Sequence, residues 1–392
     1  MKHASRMFAS VTVVLLATAA CSNSSNGGSS GGSGSSGPTP ITSIGPGEGE
    51  LKLINWDGYV EDAWVKPFEQ ETGCKVDSTI GTTSDDMYNL MTKQQGIYDG
   101  VSASGDASNR LIAAGAVAPI DVNLFPGFKQ MIPTLQSPPN NTVDGVHYGV
   151  PYVWGPNFLM YRTDVVKPAP TSWDVIFDPN SKYSGKITAY DSPIYIADAA
   201  MYLKAHQPDL GITDPYELTQ DQFNAAIQLL QGVTFRNFWS LVGQEIKPFK
   251  SGDLVAGTAW PVNYATLKEA GAPVATVVPS EGVTGWADTW MMSSAAPHPN
   301  CMMMWMEYTT RADVQAQVAE SYLATPSNAA SCQILSKDIG KAAQDAYHCG
   351  DSEYLQSIAL WKTPLPDCGD DRGSTCVDYQ TWTAKWLDIT GG

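Results

Sequence analysis

Ten residues of the chain share one kind of chemistry. Trp56, Asp57 and Tyr59 lie in "INWDGYV" (54–60), Ser104 and Asp106 in "VSASGD", Asp191 in "AYDSP", Trp260 and Asn263 in "AWPVNY", and Trp286 and Asp288 in "GWAD". They are aromatic rings, carboxylates and amide or hydroxyl groups, with no lysine or arginine among them. A ring face attracts a cation through its quadrupole, by ~0.5–2 kcal/mol. A carboxylate adds charge-assisted hydrogen bonds, of which an ammonium can donate three. Taken together the set suits an organic amine and disfavours an anion. Any one member taken alone reads as core packing or a solvated loop acid; their joint placement carries the argument.

That placement depends on the elements around them. "LKLINW" reads as a buried strand, "EDAWVKPFEQETG" as a helix ending at Gly73, "KVDSTI" as a strand and "TSDDMYNLMTKQQG" as a helix with a Ser/Asp cap. "YDGVSA" and "DASNRLIAAG" repeat the alternation, which predicts an α/β architecture with a largely parallel sheet. Further helices are expected near 194–206 and 220–232, strand-like segments in "SGDLVAGTAW" and "VATVVPSEG", and two helices from 296 onward. The ten residues then fall in five strand-end loops, the side of an open α/β sheet where ligands bind. "CMMMWM" (301–306) could suggest a soft-metal site, but its helical spacing among apolar neighbours reads as core.

Catalytic signatures are missing. No nucleophile–base pair or HExxH stands out, and "GSSGG" and "GSGSSG" lack the strand-turn-helix context that would give them meaning. No cofactor or metal is expected, because there is no C-x-x-C and the histidines are scattered. The 392 residues carry a formal net charge of −17, which disfavours nucleic acid and anionic headgroups and favours cationic partners.

The N-terminal segment points to export. Lys2 and Arg6 precede an apolar run that is too short to span a bilayer, which needs roughly 20 residues, and residues 1–20 read as a secretory signal. "TAAC" resembles the lipobox of bacterial lipoproteins, which implies lipidation at Cys21 and a membrane contact through the lipid alone. Residues 21–48, rich in Gly and Ser, read as a flexible tether of roughly 25–30 Å. The remaining length exceeds what one core usually supports, so two lobes are expected. Six further cysteines in an exported chain read as disulfides. The local pairs Cys368–Cys376 and Cys332–Cys349 are favoured, leaving Cys74 with Cys301, while other pairings stay open.

From about 51 to 365 the chain resembles the polyamine-binding (spermidine/putrescine) proteins of bacterial ABC importers, which have the type II periplasmic-binding-protein fold. The stretches that carry the likeness are "INWDGYV", "FEQETGCKV", "YDGVSAS", "GVPYVWG", "TSWDVIFDP", "SGDLVAGTAW", "VPSEGVTGWAD" and "ATPSN". The resemblance implies lobes at 49–155 plus 288–330 and at 156–287 plus 331–392, each a mixed sheet flanked by helices, with crossings near 153–157 and 288–290. It implies a monomer that closes on its ligand and then docks to permease subunits driven by a separate ATPase. Residue by residue, Trp56 and Tyr59 match aromatics that box the ligand, and Asp57 falls on a polar contact position. Ser104 matches a serine of the third-strand loop, and Asp191 an acid that binds an amino group. Trp260 matches the far-lobe tryptophan, while Trp286 and Asp288 match an aromatic and an acid that pairs with a ligand nitrogen. The chain departs from the pattern at Asp106, where an aromatic is common, at Ile194, where a glutamate is usual, and at Ala324, where a tyrosine is usual. Two alternatives therefore stay open: a different small solute on the same fold, and an acid-pair hydrolase using Asp191 and Asp288.

Overall fold

Local signals open the chain as expected. In the computed structural model, which describes residues 40–241, 243–339, 347–348 and 351–391, strand β1 (Glu50–Asn55) leads to a helix, Asp62–Thr72. Gly73 ends that helix at φ 77°, a conformation that glycine adopts without penalty. Strand β2 (Lys75–Ile80) is followed by the helix Ser84–Lys93, whose cap is Thr83: its side chain accepts from the Asp86 amide. Strand β3 (Gly100–Ala103) then leads to the helix Gly105–Ala113. Farther on come β4 (Thr142–Val143), β5 (Val146–His147), β6 (Val150–Pro156), β7 (Phe158–Arg162), β8 (Ile187–Tyr190), β9 (Asn237–Trp239) and β10 (Ala256–Ala259). The remaining strands are β11 (Val274–Val277), β12 (Val283–Met292), β13 (Thr325–Pro326) and β14 (Ile358–Leu360).

These strands build two mixed sheets and a short hairpin of β4 and β5. The first sheet has the order β13-β6-β12-β3-β1-β2, with β14 beside β12; the second has the order β11-β7-β10-β8-β9. β1 runs parallel to β2 and β3, whereas β12 runs antiparallel to β3 and β6. In the second sheet β8 is parallel to β9 and β10, and β7 is antiparallel to its neighbours. The sheets are thus mixed, less parallel than the opening repeat suggests.

Among the described residues the chain passes between the two sheet regions three times. Asn157 separates β6 from β7, and residues 278–282 lead from β11 into β12. All of β12 belongs to the first sheet, so the second passage lies earlier than the 288–290 expected from sequence. The third passage follows β14, which joins the first sheet although residues 331–392 were expected in the other lobe. Beyond it, the helix Tyr379–Thr390 sets Trp382 against Phe223 and Trp386 against Tyr195 and Phe238 in the second-sheet region.

Cys301, Met302, Met303, Trp305 and Met306 are buried in the helix Pro299–Thr309, as core. Cys74–Cys301 and Cys368–Cys376 are disulfides, with Cα separations of 5.8 Å and 5.3 Å. In a chain-entropy treatment the long loop closed by the first is worth about 5 kcal/mol and the short loop of the second about 2.5 kcal/mol. The Cys332–Cys349 pairing reaches outside the described residues, as do the signal segment, Cys21 and the tether through residue 39.

The last part of the expected tether is pinned to the body instead. Ile41 bridges Ile120, and Ile41 and Ile44 pack on the core. The Gly45 amide donates to Asn300 Oδ1 (2.7 Å), and Glu48 accepts from the Asn300 and Cys301 amides (3.0 and 2.9 Å). Those amides open a helix, where a carboxylate is favoured. Two isoleucines and one well-aimed acid outweigh the Gly/Ser texture.

Candidate ligand-binding site

The turn after β1 sorts its three side chains. Asn55 Nδ2 donates to the Trp56 carbonyl (2.9 Å) and the Tyr59 amide closes back on that carbonyl (3.1 Å). Gly58 sits at φ 83°, where a Cβ would meet the Tyr322 ring at 3.1 Å. The result turns Trp56 and Tyr59 inward and leaves Asp57 exposed to solvent.

Asp288 lies inside β12, not in a strand-end loop. Opposite it the ladder with β6 is irregular: Ala287 pairs Trp154 and Thr289 pairs Pro151, so Tyr152 and Val153 face Asp288 alone. Such irregularities re-aim side chains near functional sites. Tyr59 Oη donates to Asp288 Oδ2 (2.6 Å) and Ser104 Oγ to Oδ1 (2.5 Å). Ser104 occupies the N-cap of its helix yet makes no cap bond there, its hydroxyl being aimed at Asp288. Burial pushes the Asp288 carboxyl up to about 7, against the pull of these two hydroxyls. A carboxylate offers about four lone-pair sites, so the two hydroxyls leave room for a further donor.

Trp56, Tyr59, Ser104, Trp260, Trp286, Asp288, Tyr322 and Trp361 line a narrow inner chamber. Trp56, from the first sheet, meets Trp260, from the end of β10, edge to face at 6.1 Å. A second chamber shares Trp56, Trp260 and Trp361 with the first. Its other walls are Thr82, Thr83, Ser84, Tyr190, Asp191, Ser192, Trp239 and Ser240. Neither wall contains a lysine or arginine. The neighbouring Arg110 is engaged elsewhere, paired with Asp85 at 2.7 Å and stacked on Tyr88 and Tyr379.

Of the ten sequence-derived residues, Trp56, Tyr59, Ser104, Trp260, Trp286 and Asp288 converge on the inner chamber and Asp191 on the second. Asp191 is exposed, and its Oδ1 accepts from Trp386 Nε1 (2.7 Å). The other three stand outside both walls. Asp57 faces solvent because of the Gly58 turn. Asp106 is buried behind Ser84, which donates to it (2.8 Å), and burial pushes its carboxyl up to about 6. Asn263 works from behind Trp260: its Oδ1 accepts from the Trp260 amide (2.8 Å), and its Nδ2 donates to the buried Glu245 carboxylate.

Sequence reasoning missed Tyr190, Trp239, Tyr322 and Trp361. Ala324 is buried outside the chambers, and the tyrosine ring there comes from Tyr322, 5.0 Å from Tyr59 and 6.3 Å from Trp286. Ile194 is fully buried core. Trp361 depends on Gly105, where any Cβ would stand 1.7 Å from the Trp361 carbonyl oxygen. The glycine in "SASGD" was the available signal, since an isolated glycine marks a close backbone approach. Among the described residues the group fit for a metal ion is Asp174, His206 and Glu281, which lines neither chamber. His206 and Glu281 are hydrogen-bonded at 2.9 Å and Tyr202 donates to Asp174 at 2.8 Å.

This two-sheet frame has relatives. Residues 63–344 match the family described as bacterial extracellular solute-binding protein. The chain belongs to that family. This solute-binding protein is 26% identical, over 74% of its own length and 80% of the relative's, to the spermidine/putrescine-binding periplasmic protein of Escherichia coli K12. Its fold is similar to that of the TpPotD lipoprotein of Treponema pallidum, with a TM-score of 0.68 at 16% identity over 88% of this chain and all of the other. It is also similar to a periplasmic binding protein, MotA, from A. tumefaciens in complex with glucopine, with a TM-score of 0.66 at 15% identity over 87% and 99% of the two chains. The architecture is accordingly the two-lobe one of periplasmic binding proteins, with one sheet in each lobe. A solute-binding protein of this family is exported, and among the described residues no helix is long and apolar enough to cross a membrane.

Proposed function

We propose that this solute-binding protein captures a polyamine-class organic cation and hands it to the permease of an ABC importer. The observation that carries the reading is Asp288, a buried carboxylate inside a box of tryptophan and tyrosine rings with no competing cation. An ammonium seated there adds charge-assisted hydrogen bonds to the free lone pairs of Asp288 and gains the ring quadrupoles. The carbon chain then runs between Trp56, Trp260 and Trp361 toward Asp191, the acid of the second chamber. Walls from both lobes meet the solute, so binding favours the closed form by its differential contacts, and that form docks to the permease. The kinship with the spermidine/putrescine-binding protein of Escherichia coli points the same way. The protein acts as a monomer, held at the membrane by a lipid on Cys21.

A second reading, a different small solute on the same fold, is favoured by Ile194. With that position apolar and in the core, Asp191 is the single acid of the second chamber. Asp191 and Asp288 line different chambers, which supports two ends of one ligand over a paired-acid reaction centre. Calorimetric titration with putrescine, spermidine, spermine, agmatine and choline tests the proposal. Saturable binding of one or more amines is expected. No heat and no thermal shift with any of them overturns it, and an amine recovered chemically altered revives the enzyme reading.

A further inference from the structure

A further buried acid lines neither chamber. Asp198 lies in the first turn of the helix Ile196–His206, packed in the second lobe. Its Oδ2 accepts from Tyr190 Oη at 2.7 Å, and Thr284 Oγ1 lies 3.1 Å from its Oδ1 and 3.0 Å from Oδ2. Thr284 in turn accepts from Asn157 Nδ2 at 2.6 Å, and its carbonyl accepts the Asn157 amide at 2.8 Å. The Asn157 amide group also reaches Tyr190 Oη, at 3.5 Å.

The identity of these partners matters more than their number. Asn157 is the residue between β6 and β7, where the chain first passes from one lobe to the other. Thr284 stands at the start of β12, just after the second passage and two residues before Trp286. Tyr190 ends β8 in the second lobe, lines the second chamber, and sets its ring 5.4 Å from Trp361 and 6.2 Å from Trp260. Two side chains, Tyr190 and Thr284, therefore meet at one carboxylate and Asn157 joins them through Thr284, so that two of the three stand at the passages between lobes and one in the solute's wall. Leaving a buried hydroxyl or amide without its partner costs about 1–3 kcal/mol, so the members hold their geometry together.

Building on the solute-capture reading above, we propose that Asp198 is a positioning residue of the solute site, tying the Tyr190 wall of the second chamber to both interlobe strands through Thr284 and Asn157. Rotation of one lobe against the other must carry the ends of β6 and β12 with it. With Asp198 holding Tyr190 and Thr284 together, that rotation and the seating of Tyr190 on Trp260 and Trp361 become one event. Solute affinity then depends on a residue that the solute does not touch.

The charge state of the group fits the role. Burial raises the Asp198 carboxyl to about 7, against the bonds from Tyr190 and Thr284, which favour the anion. The titratable groups that feel its charge are tyrosines: Tyr190 of β8, Tyr195 of the turn before its own helix, and Tyr216. The carboxylate accepts from both hydroxyls, and protonation gives up part of that accepting capacity.

The experiment compares wild type, Asp198→Asn, Thr284→Val and the double variant in the full-length protein, titrated with putrescine from about pH 6 to pH 8.5. Thermal midpoints are recorded alongside. Each single variant is expected to lose about fivefold or more in affinity near pH 8, within the usual range of coupling between distant sites. The double variant should lose little more than either single one, because both break the same link. In wild type two acids, Asp198 and Asp288, titrate near neutrality, so affinity should rise steeply with pH; Asp198→Asn should rise less steeply. Thr284→Val keeps the test alive if Asp198→Asn fails to fold. Variants that bind like wild type, or losses that add in full, overturn the positioning role alone. A wild-type protein that binds no amine overturns the solute-capture reading and this proposal with it.

Discussion

Asp288 and Asp191 are the acids of adjoining chambers, and the protein holds them in opposite ways. Asp288 is buried, bonded by two hydroxyls and raised toward neutrality by its surroundings. Asp191 is exposed and steadied by one indole N–H from a helix near the chain's end. A buried, partly satisfied carboxylate is costly until a cation completes it, so on the proposed reading the inner chamber discriminates by charge. An acid in water gains little from a partner it can replace with solvent, so the second chamber tolerates variation. If the chambers hold the cation as proposed, selectivity belongs to the hidden acid and adaptability to the visible one.

The contrast is most directly broken by paired substitutions. Asp288→Ala should weaken amine binding by about 2–5 kcal/mol, the usual cost of truncating one partner of a buried charge pair. Asp191→Asn should cost under about 1 kcal/mol, as for exposed pairs. Calorimetry reads both, and equal losses would erase the distinction between the chambers. A smaller effect sharpens it at the partition. Trp361→Ala should cost about 0.5–2 kcal/mol of affinity, the worth of one ring against a cation. Gly105→Ala should produce a similar loss without touching the solute, and overpacking should lower stability by about 1–3 kcal/mol, read from denaturant midpoints. Unchanged affinity in both would remove Trp361 from the shared wall.

The last prediction concerns pH and the unliganded protein. The carboxyls of Asp198 and Asp288 rise from 3.8 to about 7, and that of Asp106 to about 6. Between pH 4 and 7 the folded chain therefore keeps protons that the unfolded chain has released. Their contribution to stability is full below about pH 4 and is lost as pH climbs through 6 and 7. The thermal midpoint should fall between about pH 5.5 and pH 8, and Asp288→Asn should shallow that fall. A midpoint that rises over this range would contradict the buried state of these acids.

The sequence made the local half of the site legible. "INWDGYV" lies at a strand end because an apolar run, a glycine turn and a following helix are short-range signals. The serine, the two acids and the far tryptophan were found through the same strand-and-loop rhythm. What stayed hidden depends on distant partners. Nothing near Asp288 announces that β12 continues through it, since the irregularity belongs to Tyr152 and Val153 of another strand. Trp361 reaches the chambers because a helix start more than two hundred residues away leaves room at Gly105. Asn263 and Asp106 have the right chemistry but spend it on Trp260 and Ser84, a choice set by packing. Residues 41–48 looked like linker by composition, and two isoleucines with Glu48 decided otherwise.

The Cys74–Cys301 bridge joins positions 227 residues apart. Everything from β2 to β12, including the whole second sheet, lies in the loop it closes. A protease that clips any single exposed turn within that loop cannot release a fragment. The two pieces remain on one covalent thread, and the cut shows on a gel only after a reductant is added. In an exported protein, a nicked molecule can therefore go on holding its lobes in register.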